Sequence, residues 1–196
     1  NGSTCECDEF INVDGESYCQ SDLEVLQMFI DNSSRFGSNQ DHTLNLGLDD
    51  NGNNNIEPLE LGNILWTDGR IELWACQNCG IMGEIPMEIN NLSRLKNLDL
   101  SNNYLSGKIP DAFGDMINLD NIALQSNYFS SLSEGFTYFL EKTYQNNSGT
   151  YPNPLDFINT SLSGNTICEP LTRQAMEVFN LNLDDLHYVA DQNCEP

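Results

Sequence analysis

Apolar positions in the middle of this chain recur with a fixed period. In LDLSNNYLSGKIPDAFGDMINL, residues 98–119, they fall at Leu98, Leu100, Leu105, Ile109, Phe113, Met116 and Leu119, with Asn103 and Gly107 between them. The alternation at 98 and 100 predicts a short strand with two side chains on its inner face. An inward Asn103 suits hydrogen bonding to the backbone of adjacent turns, and Ile109-Pro110 suits an extended, helix-free return. The same order stands 24 residues earlier, at Trp74, Cys76, Cys79, Ile81, Gly83, Ile85, Pro86, Ile89, Leu92 and Leu95, and 24 residues later, at Ile122, Leu124, Asn127 and Phe129. No such unit buries its apolar face alone, so the copies stack. A further copy is expected after a spacer. LDFINTSLSG at 155–164 matches LDLSNNYLSG at 98–107, with Thr160 in the place of Asn103 and the third copy lengthened by nine residues.

The flanking segments carry other patterns. SDLEVLQMFIDNS (21–33) predicts an amphipathic helix, with Ser21 as cap, Glu24 completing a capping box, and Leu23, Leu26, Met28, Phe29 and Ile30 on the apolar side. Residues 168–196 are helical in pattern and bracketed by Cys168 and Cys194. Within the spacer, EGFTYFLEKTY predicts a short helix and NNSGTYPNP a loop.

The repeat resembles the leucine-rich repeat, and more narrowly the plant-type variant with its L-x-G-x-I-P segment, on the strength of GEIP and GKIP in the copies 71–94 and 95–118. ILWTDGRIEL (64–73) is similar to the lead-in of such domains. The resemblance implies an α/β fold: a short right-handed solenoid with a parallel strand ladder, an N-terminal cap over 1–69, about four coils over 70–164 and a C-terminal cap over 165–196. The plant-type family includes receptor ectodomains and inhibitors of cell-wall-degrading enzymes, which implies protein or glycan ligands. Helical caps cover the apolar ends of an open solenoid. A Cys168–Cys194 bridge is expected around the rear one, and Cys19 is expected to bond Cys5 or Cys7, since connectivity is not fixed by sequence.

Within that frame Cys76 takes an inward apolar position and Cys79 the asparagine position. Both are expected to be buried structural cysteines, free or bridged to each other. A redox dithiol would sit at a helix N-terminus in a βαβ unit, and a zinc site would need two further ligands nearby.

Charge narrows the partners. Thirty acidic residues against seven basic ones give −23, which repels nucleic acid and anionic lipid surfaces. Apolar runs are too short to span a bilayer, and no membrane insertion is expected. Seven cysteines, scarce lysine and Asn-x-Ser/Thr sequons at Asn1, Asn32, Asn91, Asn146 and Asn159 favour a secreted or cell-surface setting with glycosylation. No segment has a signal-peptide layout, so a processed form or an excised ectodomain is expected.

DDNGNNNIEPLE (49–60) is a candidate calcium loop of the EF-hand type. Counting Asp49 as first, Asn51, Asn53, Glu57 and Glu60 fall at the third, fifth, ninth and twelfth positions, with the Asn55 carbonyl at the seventh and Ile56 at the eighth. Asn54 replaces the usual glycine, and no entering helix precedes the loop. The plain alternative is an Asn/Gly turn.

Catalytic chemistry is scarce. His42 and His187 have no nucleophile partner in a known motif, and no phosphate-cradling glycine loop occurs. No enzyme activity is expected. One expectation is a recognition module binding a protein or glycan through the outward residues of the repeat strands: Glu72, Leu73, Ala75, Gln77 and Asn78; Asn97, Asp99, Ser101 and Asn102; Asn121, Ala123, Gln125 and Ser126. The other is a structural subunit of a layer, stalk or filament, self-assembling through calcium or an intermolecular disulfide.

Overall fold

A computed structural model describes residues 7–37, 44–146, 162 and 164–167. The C-terminal segment with Cys168 and Cys194, and likewise Cys5, Asn1 and Asn159, lie outside them. The chain opens with a hairpin, β1 (Phe10–Val13) against β2 (Glu16–Cys19), followed by α1 (Gln20–Gly37). Asp14 and Gly15 close the hairpin with φ of +52° and +90°. That conformation matches strand twist in a two-residue loop and favours Asp-Gly.

Two sheets follow. β3 (Asn63–Thr67) runs antiparallel to β4 (Arg70–Ala75), which pairs in parallel with β6 (Asn97–Asp99), and β6 with β8 (Asn121–Ala123). The return segments form a second parallel sheet, β5 (Met82–Gly83), β7 (Tyr104–Ile109) and β9 (Tyr128–Leu132). Short 3-10 turns at Met87–Asn91 and Asp111–Asp115 follow the Ile-Pro pairs. α2 (Glu134–Asn146) packs on the second of these turns, Phe113 meeting Phe136 edge-to-face at 5.3 Å. It falls where the short helix is expected. The result is a mixed α/β architecture, compatible with leucine-rich repeats.

Register shows why the period exists. Trp74, Leu98 and Ile122 stand opposite one another across β4, β6 and β8, and all three are buried. Behind them the asparagines form a ladder. The Asn103 Oδ1 accepts from the Ile81 N–H, and its Nδ2 donates to the Cys76 and Leu100 carbonyls. Asn127 repeats this with the Leu105 N–H and the Leu100 and Leu124 carbonyls. Each amide thus satisfies buried backbone groups of two copies at once.

The third rung corrects the expected register. It is Asn165 that accepts from the Phe129 N–H and donates to the Leu124 and Leu162 carbonyls. Thr160, expected at a ladder position, lies outside the described residues. LSGNTI at 162–167 aligns with LQSNYF at 124–129 and supplies this rung. The interval from Phe129 to Asn165 is 36 residues, against 22 from Leu105 to Asn127, so the spacer is longer than expected. Gly164 precedes the rung with φ of +68°, the left-handed conformation that Asn102 and Ser126 adopt before theirs.

α1 buries Val25, Leu26, Phe29 and Ile30 in one core with the repeats, Phe29 against Trp74 at 4.9 Å. The expected cap is wrong in detail. The helix starts at Gln20, ahead of Ser21, and Glu24 accepts from the Gln20 side chain instead of closing a capping box. Two polar residues on the buried side dock the helix. The Ser33 hydroxyl accepts from the Met82 N–H, and Asp22 receives Arg70 and the Ile71 N–H. Arg70 also donates to the Asn91 carbonyl and the Ser93 hydroxyl, so one side chain ties cap, β4 and return turn together. Burial pushes the Asp22 carboxyl above its ordinary range, opposed by the bonds from Arg70 and Ile71.

Disulfides join Cys7 to Cys19 and Cys76 to Cys79. The first selects one of the two partners open to Cys19. The second bridges two buried cysteines. Both are compatible with a secreted protein. Among the described residues no helix is long and apolar enough to cross a membrane.

A polar sheet face and the cleft at its front edge

The face of the first sheet turned away from the core is built in rows. Leu65, Leu73, Asn97 and Asn121 are register partners across β3, β4, β6 and β8; Asn63, Ala75, Asp99 and Ala123 form the next row. These positions alternate with the buried Trp74 row, as a pleated strand requires. The Asn121 amide donates to Asn97 Oδ1 at 2.8 Å, and Lys96 reaches Glu72 at 3.1 Å. Gln77 donates to Asp99 Oδ2, while Asp99 Oδ1 accepts from the Ser101 N–H and hydroxyl.

Most expected face residues are accessible. Gln77, Asn78, Asn102, Asn121 and Ser126 are exposed, and Glu72, Asn97, Asp99 and Gln125 are half-buried. Ser101 is not accessible. It is fully buried, and its hydroxyl orients Asp99 instead of meeting a ligand. Gln125 Oε1 is the one buried side-chain oxygen or nitrogen without a hydrogen-bond partner among the described residues.

β3 contributes residues the repeat period does not reveal. Leu65 is 53% exposed beside Leu73, which gives an otherwise polar face one apolar corner. The signal was Asp68-Gly69, a two-residue hairpin turn between apolar runs. Beyond β3, the cap segment 44–48 closes over the end of β4, the Asn45 N–H donating to the Cys79 carbonyl. Between them lies a cleft of about 370 Å³, with Leu48, Asp50 and Glu60 on the cap side and Ala75, Gln77 and Asn78 on the repeat side.

The loop 49–60 forms one wall of this cleft. Asp49 accepts from the N–H groups of Gly52, Asn53 and Asn54. The Asn51 and Asn53 side chains accept from the Asn53 and Asn55 N–H groups, and both their amides donate to Glu57. Glu60 folds back onto the Asn51 and Glu57 N–H groups. Hydrogen bonding with Glu60, and then with the Asn53 and Asn51 amides, holds the Glu57 carboxyl below its ordinary range. Asn54 adopts φ of +65° and Ile56 is buried. All six residues expected to hold a metal thus share one closed loop, whose side-chain oxygens bond the loop's own N–H groups and amides. Among the described residues no group of three or more His, Cys, Asp or Glu side chains is arranged to hold a metal ion.

The sequons are unequal. Asn32 lies inside α1, half-buried, with its amide donating to the Glu84 carbonyl. Asn91 is exposed at the end of a 3-10 turn. Asn146 is the last residue of α2, and its Ser148 lies outside the described residues.

Comparison with known proteins fits this geometry. The leucine-rich repeat family model matches residues 94–116, the copy that contains β6, β7 and the first full ladder rung. Residues 94–116 thus match one leucine-rich repeat, a unit that commonly mediates protein binding. No match was found among curated proteins.

Proposed function

We propose that this protein is a non-catalytic extracellular recognition module, a short right-handed leucine-rich repeat solenoid of plant type that binds a protein partner through the open, concave face of its strand ladder. The observation that carries this reading is the division of labour across one sheet. Apolar side chains and the asparagine ladder occupy the inner side, whereas the outer side is mainly polar, with Leu65 and Leu73 as one apolar corner. Amides, hydroxyls and a single oriented aspartate suit hydrogen bonding to a peptide backbone or to donor side chains. The net charge of −23 favours basic partners and speeds their approach.

Selection of displayed random peptides on the immobilised protein tests the reading. Most enriched clones are expected to carry Lys or Arg and to lose binding to an Asp99→Lys variant that circular dichroism shows to be folded. Clones indifferent to that substitution would move the site off this face, and binding to a glycan array with no enriched peptide would change the ligand class.

The second reading is a calcium-assembled structural subunit. What favours it is the 49–60 loop, with left-handed Asn54 at the sixth position, buried Ile56 at the eighth and Glu60 folded back at the twelfth. Calcium would replace N–H donors on Asp49 and Glu60 as their partner. Light scattering in millimolar calcium and after chelation separates the two. The module stays a monomer in both, whereas large species that collapse on chelation belong to the subunit.

A further inference from the structure

The cleft at the front edge of the sheet is more specific than the face beside it. Among the described residues it is lined by two carboxylates, Asp50 and Glu60, and by no cation. The arginines and lysines whose ion pairs are resolved are engaged elsewhere: Arg70 with Asp22, Arg94 with Asp68, Lys96 with Glu72. Glu60 is fixed in place: its two oxygens accept the backbone N–H groups of Asn51 at 3.2 Å and Glu57 at 3.1 Å, and its carboxyl group also meets that of Glu57. A carboxylate has about four lone-pair sites, so Glu60 keeps capacity for a ligand donor beyond these contacts. Asp50 makes no hydrogen bond or ion pair to another described side chain. Opposite them, Gln77 and Asn78 present exposed amides, and Ala75 and Leu48 supply apolar surface.

We propose that this cleft seats one arginine or lysine side chain of the protein partner, its aliphatic stem along Leu48 and Ala75 and its cationic head between Asp50 and Glu60. This rests on the recognition reading and narrows the partner to one presenting a basic residue to the front edge of the repeat sheet. The volume suits one long side chain and lies at the small end of ligand pockets. Long basic side chains bind in this divided way, with the stem on apolar surface and the head on acid groups. Arginine is the better occupant, because its planar fork meets fixed carboxylates with several donors at once.

The test is a ¹H–¹⁵N NMR titration with N-acetyl-arginine amide in the presence of chelator, beside the neutral citrulline analogue. Arginine is expected to shift the amides of Leu48, Asp50, Gln77 and Asn78, with the shifts weakening as salt is added. Asp50→Asn, a change at a side chain with no described partner, is expected to weaken binding by about threefold to fivefold, as for a partly solvated ion pair. Unmoved cleft amides, or equal shifts with citrulline, would overturn the proposal. If the cleft stays silent while selected peptides still lose binding to Asp99→Lys, the cleft assignment fails and the face reading stands. Shifts at the cleft with peptides indifferent to Asp99→Lys would uphold the cleft and remove the face.

Discussion

Replacing Asp22 by alanine lowers the free energy of unfolding by about 3–5 kcal/mol, the range for removing one partner of a buried ion pair. Asp22 is fully buried, and its loss leaves the Arg70 guanidinium, 4% exposed, without its counter-charge. It also orphans the buried Ile71 N–H at the start of β4. A domain of ordinary stability has only about 5–15 kcal/mol to lose, so the variant is expected to be partly unfolded near body temperature. Chemical denaturation of Asp22→Ala, Arg70→Met and the double variant checks the cause. The double variant should lie closer to wild type than the sum of the singles, since neither charge is then left alone. It should not reach wild type, because Arg70 also bonds Asn91 and Ser93.

Asn127→Ala is the second large effect, about 2–4 kcal/mol, measured by the same denaturation. The substitution strands the buried Leu105 N–H, and each unsatisfied buried group costs about 1–3 kcal/mol beyond the lost bonds. The carbonyls fare better: Leu100 keeps Asn103 as a donor and Leu124 keeps Asn165. That sharing makes a further outcome specific. Asn103→Ala combined with Asn127→Ala removes both side-chain donors from the Leu100 carbonyl, so the pair should cost more than the sum of its members. Simple additivity would mean that the rungs act separately and the copies are not coupled through them.

What the sequence disclosed follows from which forces leave a periodic mark. The copies at 71–94 and 95–118 were legible because each inward position must be apolar and each rung must be an amide. The second sheet left no separate signal, because β7 is a return segment whose apolar residues, Leu105 and Ile109, already belong to the repeat. The rung at Asn165 was missed because LDFINTSLSG copies the apolar spacing, whereas only contact with the previous copy marks Asn165. Ser101 looked like a face residue by position and is buried by its bond to Asp99. Arg70 and Asp22 are 48 residues apart, and nothing local marks either as buried. The cleft needed three dimensions for the same reason, since Asp50 and Glu60 come from a loop and Gln77 and Asn78 from the end of a strand.

The central claim, recognition through the outer face of the parallel sheet, is tested most directly by cross-saturation NMR on the protein bound to a selected basic peptide. Intensity loss is expected at the amides of Gln77, Asn78, Asn97, Asp99 and Asn121, running back from the cleft across the strands. Loss confined to the 3-10 turns at 87–91 and 111–115, with those face amides unchanged, would contradict it.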